Sequence, residues 1–576
     1  MKKNNIIIVL VLLIIMIILV VINQRNDAKL SNITVSDIDS LINTDDGDEK
    51  INWEDYENQE ITLSENITIT EEGVYDLNGN IKGGSIMVNA SGNVKLNLNN
   101  VNINSLNGPC IYIEKASDVV INLQGTNYLS DSTSYSVLDE EVNGVIYSSS
   151  DITFEGKGKL VIEANYQDGI VGKDDLKIIN GNYDITSVDD GIRGKDSVYI
   201  LNGNFSINSQ GDAIKSTNNT DVEKGFILIE NGIFNLESNL DCLQAETKLV
   251  IENGEFNVKT GGGSANSSTS NSDWGRWPSY FEESSSNNES AKGFKAINNL
   301  VINNGIFNFD TSDDALHSNS YVGILTGEFS ILSGDDGIHA DNELIIDGGN
   351  IKITKSYEGL EASKMTINGG SIDINSSDDG INIAGGVDGS PTNRPGANLY
   401  NSSTDNILTI NNGNIVIDAA GDGIDVNGSA YMNDGMVTVY GPTNSGNGAL
   451  DYDMVFEVNG GIIVASGSSG MAQSFTNSSK LYQVHIGFGS EISCDDTIEI
   501  VNGDSNIINF RSSKTYSSLI IASPKFLKGQ EYTIKVNNEI YENFTVSSNE
   551  TLVGSNQSMF PGAGGNRPNG RPNGRR

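Results

Sequence analysis

The sequence predicts an all-β protein whose central part is a parallel β-helix. The first observation is an acidic corner, an Asp or Glu followed in most copies by Gly, which recurs every 21 or 22 residues where no insertion intervenes. The second is a column of glycines in nearly the same phase, and the third is a set of short alternating apolar runs between the two columns. These corners begin at Asp168, Asp190, Asp212, Asp241, Asp314, Asp336, Glu358, Asp379 and Asp422.

Residues 336–357 show one repeat unit, which reads DGIHADNELIIDGGNIKITKSY. Its apolar residues alternate with period two, which indicates strands, and its Asp, Asn and Gly clusters indicate tight turns. Three short strands and three corners are typical of one β-helix coil, whereas propeller blades need about 40 residues and helical repeats a 3.6-residue period. We predict roughly fifteen coils between residues 76 and 475, spaced by about 4.8 Å.

The residue two positions after each corner is apolar and should point into the β-helix, where the coils on either side bury it. Insertions at 217–224, 261–290, 386–405 and 441–446 lengthen single coils, and Lys292-Gly293 is a degenerate copy of the corner. The predicted core column is Ile170, Ile192, Ile214, Leu243, Phe294, Leu316, Ile338, Leu360, Ile381 and Ile424.

The N-terminus predicts an extracellular location. Lys2 and Lys3 precede an unbroken apolar run over 6–22, which is just long enough to cross a bilayer. No small-residue cleavage site follows, so residues 1–28 are predicted to be a signal anchor in the membrane, with a cleaved signal peptide and secretion as the alternative.

The rest of the chain divides by its pattern. Residues 29–75 are predicted to be an N-terminal lead-in and cap, 76–475 the β-helix, 476–553 a small antiparallel C-terminal cap, and 554–576 a disordered basic tail rich in Gly, Pro and Arg.

The three cysteines, Cys110, Cys242 and Cys494, are too far apart for a disulfide framework or a zinc motif, so we expect them to be buried and inert.

Charge and doubled acids point to a metal ion. With 35 basic and 76 acidic residues the net charge is −41, which excludes nucleic acid as a partner of the body. Carboxylates of adjacent coils would repel each other, and a calcium ion with oxygen ligands at about 2.3–2.6 Å fits between them. The alternative is that each Asp caps its own turn. The doubled corners are 189–190, 313–314, 335–336 and 378–379, with 174–175 at the next corner of another coil.

Two further features are candidates for sugar binding. A column of residues expected to face outward from the first strand is basic or imidazole in its first half, which suits uronates, although an ordinary solvated face is the alternative. Its candidate ligands are Arg193, Lys215, Lys295, His317 and His339. The 261–290 insertion carries Trp274, Trp277 and Tyr280, which stack on sugars or pin the loop to the barrel.

The corners DDGIRG, DDALHS, DDGIHA, EGLEA, DDGINI and GDGIDV, with the ending SSLIIASPKFLKGQEYTI, resemble the bacterial carbohydrate-binding β-helix family, over roughly residues 70–553. The resemblance implies a secreted, calcium-binding, right-handed β-helix that is similar in architecture to polysaccharide lyases, holds cellulose and acidic pectin-like polymers and has no established enzymatic activity. Carried over by position, the implied calcium ligands come from Asp189, Asp190, Asp313, Asp314, Asp335, Asp336, Asp378, Asp379 and Asp422.

Three functions remain open at this stage. The first is a monomeric, calcium-dependent polysaccharide-binding protein that is not an enzyme, and it is the one we favour. The second is a calcium-dependent polysaccharide lyase, for which Arg193 is the candidate base because it is the one Arg in a regular coil. The third is a structural surface adhesin whose β-helix is a rigid stalk.

Overall fold

The computed structural model describes residues 51–135, 141–267, 290–384 and 404–554. Within these ranges the chain is all-β, and the helices are two short 3-10 turns, Trp53–Asp55 and Ser264–Asn266. No helix in the described part of the chain is long and apolar enough to span a bilayer. The predicted signal anchor (1–28) and nearly all of the tail (554–576) lie outside the described residues, as do most of the 261–290 and 386–405 insertions.

The strands of the long sheet form three faces, and within a face each strand pairs in parallel with its equivalent one coil further on. Some strands continue from one face to the next, and these are listed once, on the face where they begin. Face 1, which carries the acidic corners, consists of Ile67–Ile69, Ile86–Asn89, Ile111–Lys115, Gly144–Ser148, Asp168–Gly172, Ile192–Gly194, Ile214–Ser216, Leu243–Ala245, Phe294–Ala296, Leu316–Ser318, Ile338–Ile346, Leu360–Ile367, Ile381–Ile383, Ile424–Val426 and Leu450–Tyr452.

Faces 2 and 3 follow face 1 within each coil. Face 2 consists of Asn58–Leu63, Gly73–Lys82, Val94–Asn104, Asp118–Gln124, Asp151–Gly156, Asp175–Ile178, Ser197–Ile200, Phe226–Ile229, Lys248–Ile251, Asn299–Ile302, Tyr321–Ile324, Ile407–Ile410, Ser429–Met432 and Val455–Val458. Face 3 consists of Thr126–Ser130, Lys159–Ala164, Asn182–Ser187, Asn204–Ser209, Ile233–Ser238, Glu255–Thr260, Ile306–Thr311, Glu328–Ser333, Asn350–Lys355, Ser371–Ser376, Asn414–Ala419, Met436–Tyr440 and Ile462–Gly467.

The strand register confirms the predicted core column. Ile170 pairs with Ile192, which pairs with Ile214, and every predicted member of the column is fully buried. Leu243 pairs with Phe294 across the 261–290 insertion, so the 51-residue step is one coil and Lys292-Gly293 occupies a corner. The fold is therefore a parallel-dominated, all-β repeat in which neighbouring coils share one core.

An aromatic stack on face 3 explains the glycine column between Gly181 and Gly327. At Gly254, where φ is +145°, an added Cβ would lie 2.7 Å from the ring of Phe256. That ring stacks between those of Phe234 and Phe307, at centroid distances of 4.5 and 5.1 Å. A glycine is needed here because the left-handed backbone disfavours a side chain and the ring two residues later fills its space.

Antiparallel pairing begins after the last coil. Tyr516–Ala522 pairs antiparallel with both Ile462–Gly467 and Gln483–Ile492, while Glu550–Gly554 pairs with Gln483–Ile492 in parallel. A separate antiparallel sheet closes over a second core and consists of Ile498–Asn502, Ser505–Phe510, Glu531–Val536 and Glu539–Thr545. The capping role of this region, the right hand and the number of coils stay predictions.

The cysteines follow the prediction at two of three positions. Cys110 and Cys242 are buried, and burial raises the pKa of each thiol to about 12, which keeps them protonated. The expectation is wrong for Cys494, which is only half-buried because it lies between the strands Gln483–Ile492 and Ile498–Asn502, outside the β-helix core.

Candidate functional site

The corner aspartates link each coil to the next. The backbone N–H of Asp190 donates to Oδ1 of Asp168 at 3.0 Å, and that of Asp212 donates to Oδ1 of Asp190 at 2.9 Å. The alternative that each Asp caps its own turn is wrong at these corners, since the carboxylate reaches a donor about one coil further on. The same bond is made by the N–H groups of Asp241, Lys292, Asp336, Glu358, Asp422 and Gly448.

The second oxygen of several corner aspartates contacts a cation of the protein. Arg193 Nη2 lies 2.6 Å from Oδ2 of Asp168, and Lys215 Nζ lies 2.6 Å from Oδ2 of Asp212. Both side chains are about a quarter exposed. Lys295 reaches Asp241 at 3.5 Å. The predicted basic column therefore neutralises the corner aspartates beside it.

The two predicted histidine ligands are buried, so the expectation of an outward, solvent-facing column is wrong at their positions. His317 and His339 are 3% and 1% exposed, and their rings stack at 4.8 Å. His317 Nδ1 lies 2.8 Å from Oδ2 of Asp314, and His339 Nδ1 lies 2.8 Å from Oε2 of Glu361. Each buried imidazole thus has a carboxylate partner, which offsets the cost of burying its ring nitrogen.

Lys292 stands where the repeat would place an aspartate. Its Nζ lies 2.7 Å from Oδ2 of Asp314 and 3.0 Å from Oδ1 of Asp313, and the side chain is almost fully buried. We call the corners from Asp168 to Asp336, together with these cations and imidazoles, the compensated half. Sequence reasoning missed Lys292 as a functional residue. The signal that could have identified it is that Lys292 is the one basic residue in the column of acidic corners.

The next corners form an acidic half, which we define as Glu358, Asp379, Asn382, Asp422 and Asp425. In the described part of the chain none of its four carboxylates has an ion-pair partner. Asn382, which is 6% exposed, donates to Oε2 of Glu358 at 2.8 Å, and its buried Oδ1 accepts no hydrogen bond from the described residues. The acidic half is thus built from oxygen acceptors.

Burial raises the pKa of corner carboxyls in both halves, and in the compensated half it raises that of Asp212 to about 7. Burial raises the pKa of Asp379 well above the ordinary value, and the Asp378 and Asp425 carboxylates raise it further. Burial likewise raises the pKa of Asp422 to about 7. At Asp314 burial acts in the same direction, but the ammonium of Lys292 and the His317 imidazole hold the pKa below the ordinary value.

Without divalent cations, we expect the stability of the protein to fall as the pH rises from about 5 to about 8. A raised carboxyl pKa adds stability that is complete below about pH 4 and is lost as the pH passes the folded-state value. Burial also raises the pKa of Asp168 to about 7, so this carboxyl contributes to the same loss of stability. A variant of the acidic half is therefore needed to separate its contribution from that of Asp168. Melting temperatures in chelator should depend less on pH in Asp422→Asn/Asp425→Asn. An equal pH dependence in both proteins would contradict this assignment.

The structure brings most predicted metal ligands together in groups. Potential ligand atoms lie within 4.8 Å of one another in Asp168, Asp189 and Asp190, and again in Asp313, Asp314 and Asp335. Asp336 groups instead with His339 and Glu361. Asp378 and Asp379 converge on Gly421, where an added Cβ would lie within 2.4 Å of both Oδ1 atoms. Trp274, Trp277 and Tyr280 lie outside the described residues.

The fold and the corners define an all-β repeat protein with one acidic face. Comparison with known proteins identifies its family. The model of a family described as carbohydrate-binding domain-containing protein matches residues 64–337 and 333–380, more than half of the chain. The chain therefore belongs to this family.

Two individual proteins are also similar to parts of the chain. A carbohydrate-binding domain-containing protein of Acetivibrio thermocellus is 33% identical over 159 residues, which are 26% of this chain and about half (54%) of the relative. A solved structure of a polysaccharide lyase-like protein from C. thermocellum, a gadolinium derivative, is 30% identical and covers 36% of this chain and 91% of its own, with a TM-score of 0.34.

Proposed function

We propose that the protein is an extracellular, calcium-dependent polysaccharide-binding protein without catalytic activity. Its membership in the carbohydrate-binding domain family supports the carbohydrate partner. The acidic half supports the calcium dependence. The predicted signal anchor or signal peptide supports the location outside the cell.

The observation that carries the calcium proposal is the buried Oδ1 of Asn382, which accepts no hydrogen bond from the described residues. The strand register places Asn382 between Glu361 and Asp425. Calcium takes six to eight oxygen ligands from carboxylates, amide carbonyls and water. The acidic half supplies this donor set, and its four acidic residues are half-buried, so that ions can enter from solvent. Burial raises the pKa of Asp379 and Asp425, and neighbouring carboxylates raise it further, so a bound cation would favour their charged forms.

We assign calcium to the acidic half rather than to the compensated half. Of the set that the resemblance implies, the favoured ligands are therefore Asp379 and Asp422, which belong to the acidic half, and Asp378, which converges with Asp379 on Gly421. The others already contact or adjoin a lysine, arginine or histidine, which a calcium ion would have to displace against Coulomb repulsion. They are Asp189, Asp190, Asp313, Asp314, Asp335 and Asp336.

Polymer binding by the full-length protein in calcium and in chelator tests the proposal. The probes are polygalacturonate, for the acidic pectin-like class, and an uncharged glucan, for the cellulose class. We expect binding in calcium without a change in polymer length. Unchanged binding of polygalacturonate in chelator would contradict the calcium dependence, and binding to neither polymer would favour the structural adhesin.

We predict no cleavage of polygalacturonate, because other residues of the protein already hold the guanidinium of Arg193, the candidate base. Its Nη2 lies 2.6 Å from Oδ2 of Asp168 and 2.7 Å from Oδ1 of Asn143. The guanidinium is therefore paired with a carboxylate and held in one orientation by residues of the protein. Elimination would produce an unsaturated uronide that absorbs in the ultraviolet. An absorbance increase in calcium that Arg193→Ala abolishes would establish the lyase alternative.

A further inference from the structure

The outer surface of face 3 carries a groove that the corner residues do not reach. One depression, of about 510 Å³, is lined in part by Asn235, Asn257 and Asn308. A second, of about 410 Å³, shares Ser206 and Asn235 with the first. Because of the shared residues, the two depressions form one groove along the stacking direction of the coils.

The floor of this groove is a column of uncharged polar residues, one from each coil. The strand register runs from Ser206 to Asn235, Asn257, Asn308 and Ser330, all of which are exposed. We call this column the asparagine groove. The Asn257 amide donates to Oδ1 of Asn235 at 3.0 Å, and the Asn308 amide donates to Oδ1 of Asn257 at 3.1 Å.

These bonds orient the amides but use only part of their hydrogen-bonding capacity. A side-chain amide has two N–H donors and two acceptor lone pairs, so the middle amide keeps one of each for a ligand. Repetition about every 4.8 Å gives an array of matched donors and acceptors along the groove. Such an array suits hydroxyl groups, which both donate and accept.

The charged side chains along the groove each have a partner within the protein. Lys259 lies 3.0 Å from Glu237, Lys159 lies 2.8 Å from Asp184, and Asp310 accepts the backbone N–H of Ser264 at 2.7 Å. Each lysine that lines the two depressions thus already has a carboxylate of the protein as its neighbour. In a protein of net charge −41 this surface favours an uncharged ligand.

Exposed aliphatic side chains lie beside the polar floor. Ile233 and Ile306, on the same strands, are 45% and 47% exposed, and Leu332 at the end of the groove is 39% exposed. A sugar ring presents C–H faces as well as hydroxyl edges, so a surface of amides with aliphatic neighbours complements both. A peptide or a nucleic acid would need strand-edge donors or unpaired cations instead.

We propose that the asparagine groove binds an uncharged glycan chain that lies along the stacking direction, with the amides of Asn235, Asn257 and Asn308 bonded to hydroxyls of the chain. The proposal rests on the polysaccharide-binding function and adds a site separate from the acidic half. It predicts that uncharged and acidic polymers bind at different places.

The test compares Asn235→Val/Asn257→Val/Asn308→Val with a control, Asn350→Val/Asn375→Val, which changes exposed residues of the same face outside the groove. Valine suits an exposed strand but makes no side-chain hydrogen bond. In calcium, the groove variant should bind a soluble uncharged glucan at least about tenfold more weakly, since each lost hydrogen bond weakens binding by roughly two- to tenfold. The control should match the wild type, and all three proteins should bind polygalacturonate equally. Asn257→Asp, which keeps the side-chain size, should weaken glucan binding in the same direction.

The outcomes separate this inference from the proposed function. Wild-type glucan binding that the groove variant retains would overturn the inference and leave the function standing. Loss of both polymers at an unchanged melting temperature would overturn the assignment to uncharged glycans. If the wild type binds no polymer, both proposals fall.

Discussion

Calcium should raise the free energy of unfolding by about 2.7 kcal/mol when the free ion is at a hundredfold excess over its dissociation constant. The acidic half explains the effect, because its carboxylates come together only in the folded protein and lie far apart in the unfolded chain. Asp379 and Asp422 belong to successive coils, and the N–H of Asp422 donates to Oδ1 of Asp379 at 2.6 Å. Thermal melts in calcium and in chelator measure the difference.

Paired variants locate the ion. Asp379→Asn/Asp425→Asn should lose most of the calcium-dependent stabilisation, since an amide lacks the charge but keeps the shape and the acceptor oxygen. Asp190→Asn, a matched change in the compensated half, should keep it, because Lys215 lies 3.8 Å from that carboxylate and already supplies charge. Identical melting curves of the wild type in calcium and in chelator would refute the calcium proposal. Equal losses in the two variants would refute its location.

Lys292→Met should destabilise the protein by about 3–5 kcal/mol, the cost of removing one partner from a buried ion pair. The ammonium contacts Asp313 and Asp314, and the variant leaves both carboxylates without it. Methionine keeps much of the chain length, so that the effect reports charge more than a cavity. Chemical denaturation in chelator gives the free energy of unfolding.

The control for this prediction is Arg511→Met, which removes an ion pair with Asp495 whose side chains are 61% and 84% exposed. Exposed pairs contribute about 0–1 kcal/mol, so this variant should stay close to the wild type. Calcium should restore part of the stability of Lys292→Met, because the freed oxygens of Asp313 and Asp314 offer a new cation site. A loss no larger than that of the control would show that Lys292 does not neutralise the corner.

The sequence predicted the parallel all-β repeat and its core column, and it placed the acidic corners in register. These features depend on spacing, since alternation and a 22-residue step assign every residue to the inside or the outside of a coil. The direction of the corner carboxylates was not predictable in this way. Asp168 could reach its own turn or the next coil, and that choice depends on rotamers and on the distance between coils.

The sequence by itself therefore determined the architecture, the inward column from Ile170 to Ile424 and the acidic character of face 1. Only the tertiary structure decided how the charges combine, because ion pairs such as Arg193 with Asp168 join residues of different coils. It also decided that His317 is buried and that Asn235, Asn257 and Asn308 form one surface across the 261–290 insertion. The physical reason is that a periodic pattern determines which side of the strand a residue occupies, whereas its partners are set by side-chain geometry between coils.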